Sequence, residues 1–374
     1  MRPADSIKTH ALRAALAVAV AFAVGTIATP AAEARPLPFG FNENYPFLLD
    51  GATLEEKVEL TAAAGGTLAH TSLDWRCFEP ARDVWDEECW SAHQAFYDQA
   101  LAAGVTPLFS LIAAPEWAWA HPCRRRVSAN CVMPPARSED DEWREFAGAV
   151  AGRFPQAIFE VWNEPNQTSF WNGRPQPARY AELVRLAYRA VHRGSPTATV
   201  LAGAVVGTNQ TTSKTFGSSK YLRSAFRSGK GLRRNMDGLS FHLYGLTQGL
   251  GRDDYFSKTT SRIRKLAQRY LAPERRNLWI TETGTSTKPP ERQSARRQKS
   301  LLWGVWRNLD RRRIFEGLVF HRLIQPKETS EVPWQYGAAW TRYRPLDDYP
   351  DPIKPKLVFC HFSNRLGTGY EPCQ

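Results

Sequence analysis

After residue 28 this chain has no apolar run long enough to span a bilayer, so nothing in its body reads as a transmembrane helix. It contains no C-x-x-C pair, which removes the common zinc spacings. No cysteine closely follows the N-terminal apolar run, which argues against a lipid-anchored terminus. Linkers, internal repeats and low-complexity tracts are absent, so nothing divides the chain into modules. Although basic, it lacks the aromatic-interleaved basic motifs of nucleic-acid modules.

What is present begins with an export pattern. Arg2, Lys8 and Arg13 precede an apolar run from Ala14 to Ala28, and Ala32-Glu33-Ala34 forms an A-x-A cleavage site. The expectation is a signal peptide over 1–34, a secreted domain over 35–374, and no membrane attachment once the signal is cut. All six cysteines fall in that second part: Cys77, Cys89, Cys123, Cys131, Cys360 and Cys373. An even count in an exported chain suggests disulfides. Their closeness in three pairs suggests 77–89, 123–131 and 360–373, although fifteen connectivities are possible. The formal charge of +12 fits either an anionic partner or an arginine-rich solvated surface. The scatter of its short clusters, such as Arg124–Arg126 and Arg311–Arg313, favours the surface.

Strand-like and helix-like segments alternate, the pattern of a mostly parallel sheet covered by helices. Eight strands are predicted: Phe39–Asn42, Thr67–Leu73, Thr106–Leu111, Ala157–Trp162, Thr199–Gly203, Gly238–His242, Asn277–Thr281 and Gly317–Phe320. Helices are expected after Thr53-x-x-Glu56, over Ser91–Ala103 with Gly104 beyond its end, after Ser138-x-x-Asp141, and over Arg179–His192. Others are expected over Ser218–Arg227, Thr260–Tyr270, Glu291–Leu309 and Pro355–Asn364. Eight such units imply an α/β fold, a single (β/α)8 barrel. A long loop from Gln325 to Pro355 carries Trp334, Tyr336 and Trp340 and reads as a binding loop.

Two of these strands end in carboxylates. Phe159-Glu160-Val161-Trp162-Asn163-Glu164-Pro165 is a β-prone run that Pro165 should stop. Leu278-Trp279-Ile280-Thr281-Glu282 repeats the pattern three strands later. In a parallel barrel both tips lie at the C-terminal mouth, where active sites form. Two carboxyl groups in different surroundings are what glycoside cleavage requires: a proton for the leaving oxygen and a partner for the developing oxocarbenium ion. Glu160 shares strand parity with Glu164 and reads as a buried structural acid. His242 and Tyr244 share parity and should both face the interior or mouth. Asn166 and Asn209 stand in glycosylation sequons.

Trp162-Asn163-Glu164-Pro165 and Trp279-Ile280-Thr281-Glu282-x-Gly284 resemble the acid/base and nucleophile signatures of clan A glycoside hydrolases. The resemblance extends to Asp74–Pro80, Pro115–Ala118 and Ser240–Tyr244 and covers essentially the whole exported part. Asn166 through Trp171, with Tyr180, is most similar to family 39, with family 5 as the nearest rival. The resemblance implies that Glu164 is general acid then base, and that Glu282 is the nucleophile. It implies further that Asn163 bonds the sugar 2-hydroxyl and that Tyr244 holds Glu282. Clan A enzymes retain configuration, so the carboxyls should lie about 5–5.5 Å apart. In one departure, His70 stands where the clan has an arginine that steadies the nucleophile. In another, Phe320-His321-Arg322 replaces the usual strand-eight platform tryptophan, which Trp334 or Trp340 could supply.

The expected protein is a secreted, retaining, β-acting glycoside hydrolase of poly- or oligosaccharides, a monomer with no cofactor or metal and no nucleic-acid partner. Expected substrate contacts are Asn163, His242, Tyr244, His70, Trp117, Trp171 and Trp334. The rival readings are a noncatalytic carbohydrate-binding barrel, a basic protein that binds anionic polymer, and a transglycosylase.

Overall fold

The computed structural model describes residues 35–43, 54–123, 131–249, 253–287, 293–325, 339–340, 354–366 and 369–373. The expected signal peptide lies outside these residues. Eight strands close into a parallel barrel in chain order: β1 Phe39–Glu43, β2 Leu68–Asp74, β3 Thr106–Ile112, β4 Ile158–Val161, β5 Thr199–Val206, β6 Gly238–His242, β7 Asn277–Thr283 and β8 Gly317–His321. Each overlaps its predicted counterpart, and the single (β/α)8 barrel is confirmed. Among the helices are α1 Leu54–Ala63, α2 Trp75–Phe78, α3 Glu87–Ala102, α4 Asp140–Arg153, α5 Pro177–Gly194, α6 Ser218–Arg227, α7 Gly245–Gly249, α8 Asp253–Tyr270, α9 Ala295–Arg312 and α10 Leu357–Arg365. No helix among the described residues is long and apolar enough to cross a membrane.

Several helix starts differ from expectation because capping outranks apolar periodicity. Helix α3 begins four residues before Ser91, where Asp86 accepts the Cys89 N–H at 2.8 Å and Glu87 and Glu88 face the N-terminal dipole. Helix α9 begins at Ala295 rather than Glu291, because the Ser294 hydroxyl caps Arg297. Ser138 lies in a 3-10 turn, and its hydroxyl turns to Glu139 instead of capping α4. Gly104 has φ +68°, as its place beyond α3 requires.

Strand alternation sorts the side chains into two cores. Phe39, Phe41, Phe109, Phe159, Phe241 and Phe320 point outward and pack under the helices. The inward residues of opposite parity form a separate apolar cluster: Leu68, Leu108, Ile158, Leu201, Trp279 and Val319. One step along the strands the same interior face turns polar, with Asn42, His70, Ser110, Glu160 and Thr281 all buried. The barrel is therefore plugged by hydrocarbon below and lined by hydrogen-bonding groups beneath its mouth.

The three pairs 77–89, 123–131 and 360–373 are disulfide-bonded, with Cα–Cα distances of 5.9, 5.8 and 5.1 Å. Of the Gln325–Pro355 loop, the described pieces Ile324–Gln325, Ala339–Trp340 and Lys354–Pro355 form a small three-stranded sheet. Trp334 and Tyr336 lie outside the described residues.

The ladder shifts register at three places, between Ala202 and Val205, Phe241 and His242, and Ile280 and Thr283. The first is built on Gly203 (φ +155°) and Ala204 (φ +51°). The Ser240 hydroxyl accepts the Ala204 N–H at 2.8 Å, and the Ala204 carbonyl accepts the Glu164 N–H at 3.0 Å. The bulge on β5 therefore fixes the backbone of the β4 tip. A Cβ at Gly203 would lie 2.2 Å from the Ser240 carbonyl oxygen. Gly203→Ala is expected to destabilise the fold by roughly 2–4 kcal/mol, read as a lower urea midpoint, because neither backbone can yield without opening the barrel. An unchanged midpoint would contradict this account of the bulge.

Candidate active site

The β4 ladder stops at Val161, earlier than Pro165 alone would dictate. Trp162 (φ +72°) and Glu164 (φ +42°) both lie in the left-handed region, which bulky residues occupy only when their surroundings impose it. Those surroundings are specific. The Trp162 N–H donates to the Leu111 carbonyl at 2.9 Å, and its indole N–H to the Phe170 carbonyl at 2.8 Å. Its ring is wedged edge-on between Trp143 and Trp171. Asn166 ties the turn to β5: its amide oxygen accepts the Val206 N–H, and its nitrogen donates to the Val206 and Phe216 carbonyls. With 0% exposure and every bond used, Asn166 cannot serve as the glycosylation acceptor its sequon suggested.

This turn aims Glu164 into the mouth, where Glu282 arrives from β7. One Glu164 oxygen lies 2.9 Å from His242 Nδ1, and the other accepts from the Gln167 amide at 3.0 Å. Gln167 is itself held by the Thr215 hydroxyl at 2.7 Å. Glu282 accepts the Tyr244 hydroxyl at 2.7 Å on Oε2, which also lies 3.3 Å from His242 Nδ1. Its Oε1 lies 3.3 Å from the Asn42 amide nitrogen. His242, 1% exposed, thus stands between the two carboxyls. One oxygen of each glutamate and one ring nitrogen of His242 all lie within 4.8 Å of one another.

The electrostatics follow from that contact. Burial works against a charged His242, but Glu282, the hydrogen-bonded Glu164 and then Glu160 outweigh it and push its pKa up to about 9. Burial would likewise raise the pKa of Glu282; His242, His321, the Tyr244 hydroxyl and His70 together bring it down to about 2. At neutral pH Glu282 is therefore ionised and His242 carries a proton. Such a trio could hold a divalent cation, but the proton on Nδ1 occupies the position the ion would need. A second group with metal-like spacing, Glu79, Asp83 and Glu142, is already engaged by Arg82, Trp75 and the Asp83 N–H.

The expected substrate contacts divide. Asn163 is 7% exposed and makes no hydrogen bond among the described residues, which leaves its amide available. Trp171, 4% exposed, packs edge-on to Trp162 as core and not as an open platform. Trp117 is half-buried, bonded to the Glu79 carbonyl, set against Trp75 and covered on one face by Arg82 at 4.6 Å. Trp171 is therefore closed to stacking, and one face of Trp117 is taken by Arg82. His70 lies below the mouth, 1% exposed, with both ring nitrogens bonded to protein. Glu160 is buried and bonded to Ser110, as its structural reading required.

Sequence reasoning missed Asn42 and Gln167, and noted His321 only as an oddity. The His321 ring lies 3.2 Å from the Asn42 amide oxygen, and burial first of all holds its pKa down at about 4. For Asn42 the available signal was a polar residue closing the apolar run Phe39-Gly40-Phe41.

No family model matches the sequence, and no curated protein matches it significantly. Solved structures match the fold. A family 39 glycoside hydrolase from Bacteroides cellulosilyticus WH2 aligns over 89% of this chain with a TM-score of 0.64 and 16% identity. This chain spans 64% of that protein's length. A monomeric beta-xylosidase from Caulobacter crescentus CB15 aligns over 89% of this chain and 68% of its own, with a TM-score of 0.63 and 18% identity. GH5_18 from Streptomyces cattleya, in complex with Manβ1-4GlcNAc, aligns over 89% and 80%, with a TM-score of 0.63 and 15% identity. At these identities the likeness is one of fold.

His242 links the site to pH. A histidine whose pKa rises on folding from 6.5 to about 9 contributes stability in full below pH 6.5. That contribution declines as pH rises and is lost above about 9. The rise corresponds to about 3 kcal/mol. The stability difference in urea between the wild type and His242→Gln should fall by about that amount from pH 6 to pH 10. The opposite slope from Lys356, whose buried ammonium is held down at about 8, is common to both proteins. A variant with the wild-type slope would show that another group carries it.

Proposed function

We propose that this chain is a secreted, retaining β-glycoside hydrolase of the clan A type. The observation that carries the reading is that both carboxyls meet one nitrogen of His242. The nearest oxygens of Glu164 and Glu282 are no more than 4.8 Å apart, a close approach that favours the shorter of the two known spacings. Retention by double displacement needs carboxyls about 5–5.5 Å apart, whereas inversion needs roughly 6.5–9.5 Å to admit a water between them. The opposed surroundings of the pair add support: Glu282 is held ionised, as a nucleophile must be.

In the first step Glu282 attacks the anomeric carbon while Glu164 delivers a proton to the leaving glycosidic oxygen. A glycosyl-enzyme forms and the aglycone departs. Glu164, now a carboxylate, takes a proton from water as the water attacks the anomeric carbon. The sugar leaves with its original configuration and Glu282 is freed. Tyr244 fixes the Glu282 oxygen it bonds, and Asn163 is the donor for the sugar 2-hydroxyl. The names of the similar structures, among them a beta-xylosidase, favour a β-linked substrate. The A-x-A site and the three disulfides support export. This chemistry calls for no metal or cofactor.

The test uses aryl glycosides with activated leaving groups. Glu282→Ala is expected to lose turnover by on the order of 10⁴-fold or more, and azide should restore it with a glycosyl azide of inverted configuration. Glu164→Ala should keep appreciable turnover on the activated substrate, lose it on an unactivated one, and give with azide a product of retained configuration. Wild-type turnover in Glu282→Ala would leave a noncatalytic carbohydrate-binding barrel as the better reading. Transfer to sugar acceptors in place of water would make the protein a transglycosylase with the same pair.

A further inference from the structure

His70 stands where the resemblance calls for an arginine beside the nucleophile, yet it does not touch Glu282. What touches Glu282 is Asn42, and His70 touches Asn42. The Asn42 amide nitrogen lies 2.8 Å from His70 Nδ1 and 3.3 Å from Glu282 Oε1. Its amide oxygen lies 3.2 Å from His321 Nδ1. On the far side His70 Nε2 lies 2.8 Å from the Ser110 hydroxyl, which lies 2.7 Å from Glu160 Oε2. Asn42, His70, Ser110 and Glu160 are each at most 1% exposed.

With the Ser110 hydroxyl donating to Glu160 Oε2, proton counting along these contacts gives the chain one direction; the Thr281 carbonyl is a further acceptor beside the His70 ring. A carboxylate only accepts, so the Ser110 hydroxyl donates to Glu160 and accepts from His70 Nε2–H. A neutral His70 protonated on Nε2 leaves Nδ1 as an acceptor, and Asn42 meets it with one amide N–H. The second amide N–H is then directed at Glu282, and the amide oxygen accepts from His321. Were Nδ1 protonated, it would face the Asn42 amide nitrogen donor to donor. Relief would require the amide to turn over, which sets its oxygen against the Glu282 carboxylate.

We propose that Asn42 is a positioning residue for Glu282, and that His70, fixed as its Nε2–H tautomer by Ser110 and Glu160, dictates which way the Asn42 amide points. The pair does with a neutral, oriented dipole what an arginine would do with charge. The role rests on the reading of Glu282 as nucleophile. The titratable groups facing His70 are Glu160, Glu282 and His242; burial outweighs the two carboxylates and keeps the ring neutral.

The experiment is a cycle in two backgrounds. Asn42→Ala should lower kcat on an aryl glycoside by about 10- to 100-fold with little change in KM, since a misaligned nucleophile loses attack geometry and not binding. In the Glu282→Ala background, azide replaces the carboxylate and needs no aligning. There the same substitution should leave azide-rescued turnover unchanged. Asn42→Asp, which keeps the shape but sets an acceptor against Glu282, gives a second route if the alanine variant does not fold. Its loss should be larger and likewise absent in the rescued background. Nitrogen NMR of histidine-labelled protein, with His70 assigned by its loss in His70→Gln, should show the neutral Nε2–H tautomer at pH 7. An equal fractional loss in both backgrounds, or an Nδ1–H tautomer, overturns the proposal. Failure of azide to rescue Glu282→Ala at all would instead count against Glu282 as nucleophile.

Discussion

His242 Nδ1 lies 2.9 Å from one carboxyl and 3.3 Å from the other, and the mouth of the barrel depends on that contact. Two carboxylates with oxygens within 4.8 Å would repel by roughly 3 kcal/mol at an effective dielectric of about 20. The His242 proton offsets the charge on Glu282 and gives Glu164 a hydrogen-bond partner, so the site does not hold two uncompensated charges. It also makes the two glutamates unlike. Glu282 takes the imidazolium together with the Tyr244 hydroxyl and the Asn42 amide, whereas Glu164 takes it with the Gln167 amide alone. The asymmetry that acid/base work needs is therefore built from the number and kind of donors around two chemically identical side chains.

The fold makes this possible by dividing the barrel interior into layers. Leu68, Leu108, Ile158, Leu201, Trp279 and Val319 seal the base. Above them Asn42, His70, Ser110 and Glu160 are linked in one hydrogen-bonded chain, which spares most of the cost of about 1–3 kcal/mol that each unbonded polar group adds. Glu160 Oε1 and the Thr281 hydroxyl are left without a partner among the described residues. With water excluded below, the hydrogen bonds above act in a low dielectric and hold their geometry. The three register shifts lie between β5 and β8; the first holds the β4 tip through the Ala204 carbonyl, and the last two flank Glu282 on β7.

Much of this was legible in the residues. Eight apolar runs separated by cappable segments gave the barrel, and two strands ending in glutamate gave the facing carboxyls. Cysteine proximity gave three pairs that the fold closes. What could not be read has physical causes. Periodicity does not see a cap such as Asp86, so helix ends moved. A tryptophan's sequence position does not say whether its face is covered: Trp171 is buried edge-on to Trp162, and Arg82 lies over one face of Trp117. Asn42 escaped because its partners, Glu282, His70 and His321, come from three other strands. Parity places Asn42, His70 and His321 on the inner face, whereas Glu282, next to inward-facing Thr281, is brought to the mouth by the register shift between Ile280 and Thr283. Closure of β1 on β2 and β8 then brings them within bonding distance.

The replacement of an expected arginine by His70 has a consequence for the whole site. A guanidinium stays charged at any working pH and would add fixed positive potential beside Glu282. An amide oriented by a neutral imidazole adds direction but almost no charge. More of the compensation for Glu282 then falls on His242, whose proton is simultaneously the partner of Glu164. Loss of that one proton removes the main charge partner of Glu282 and the hydrogen-bond partner of Glu164 Oε1 at once. Loss of the His242 proton on β6 and gain of a proton by His70 on β2, which burial opposes, would each disturb Glu282 from a different strand.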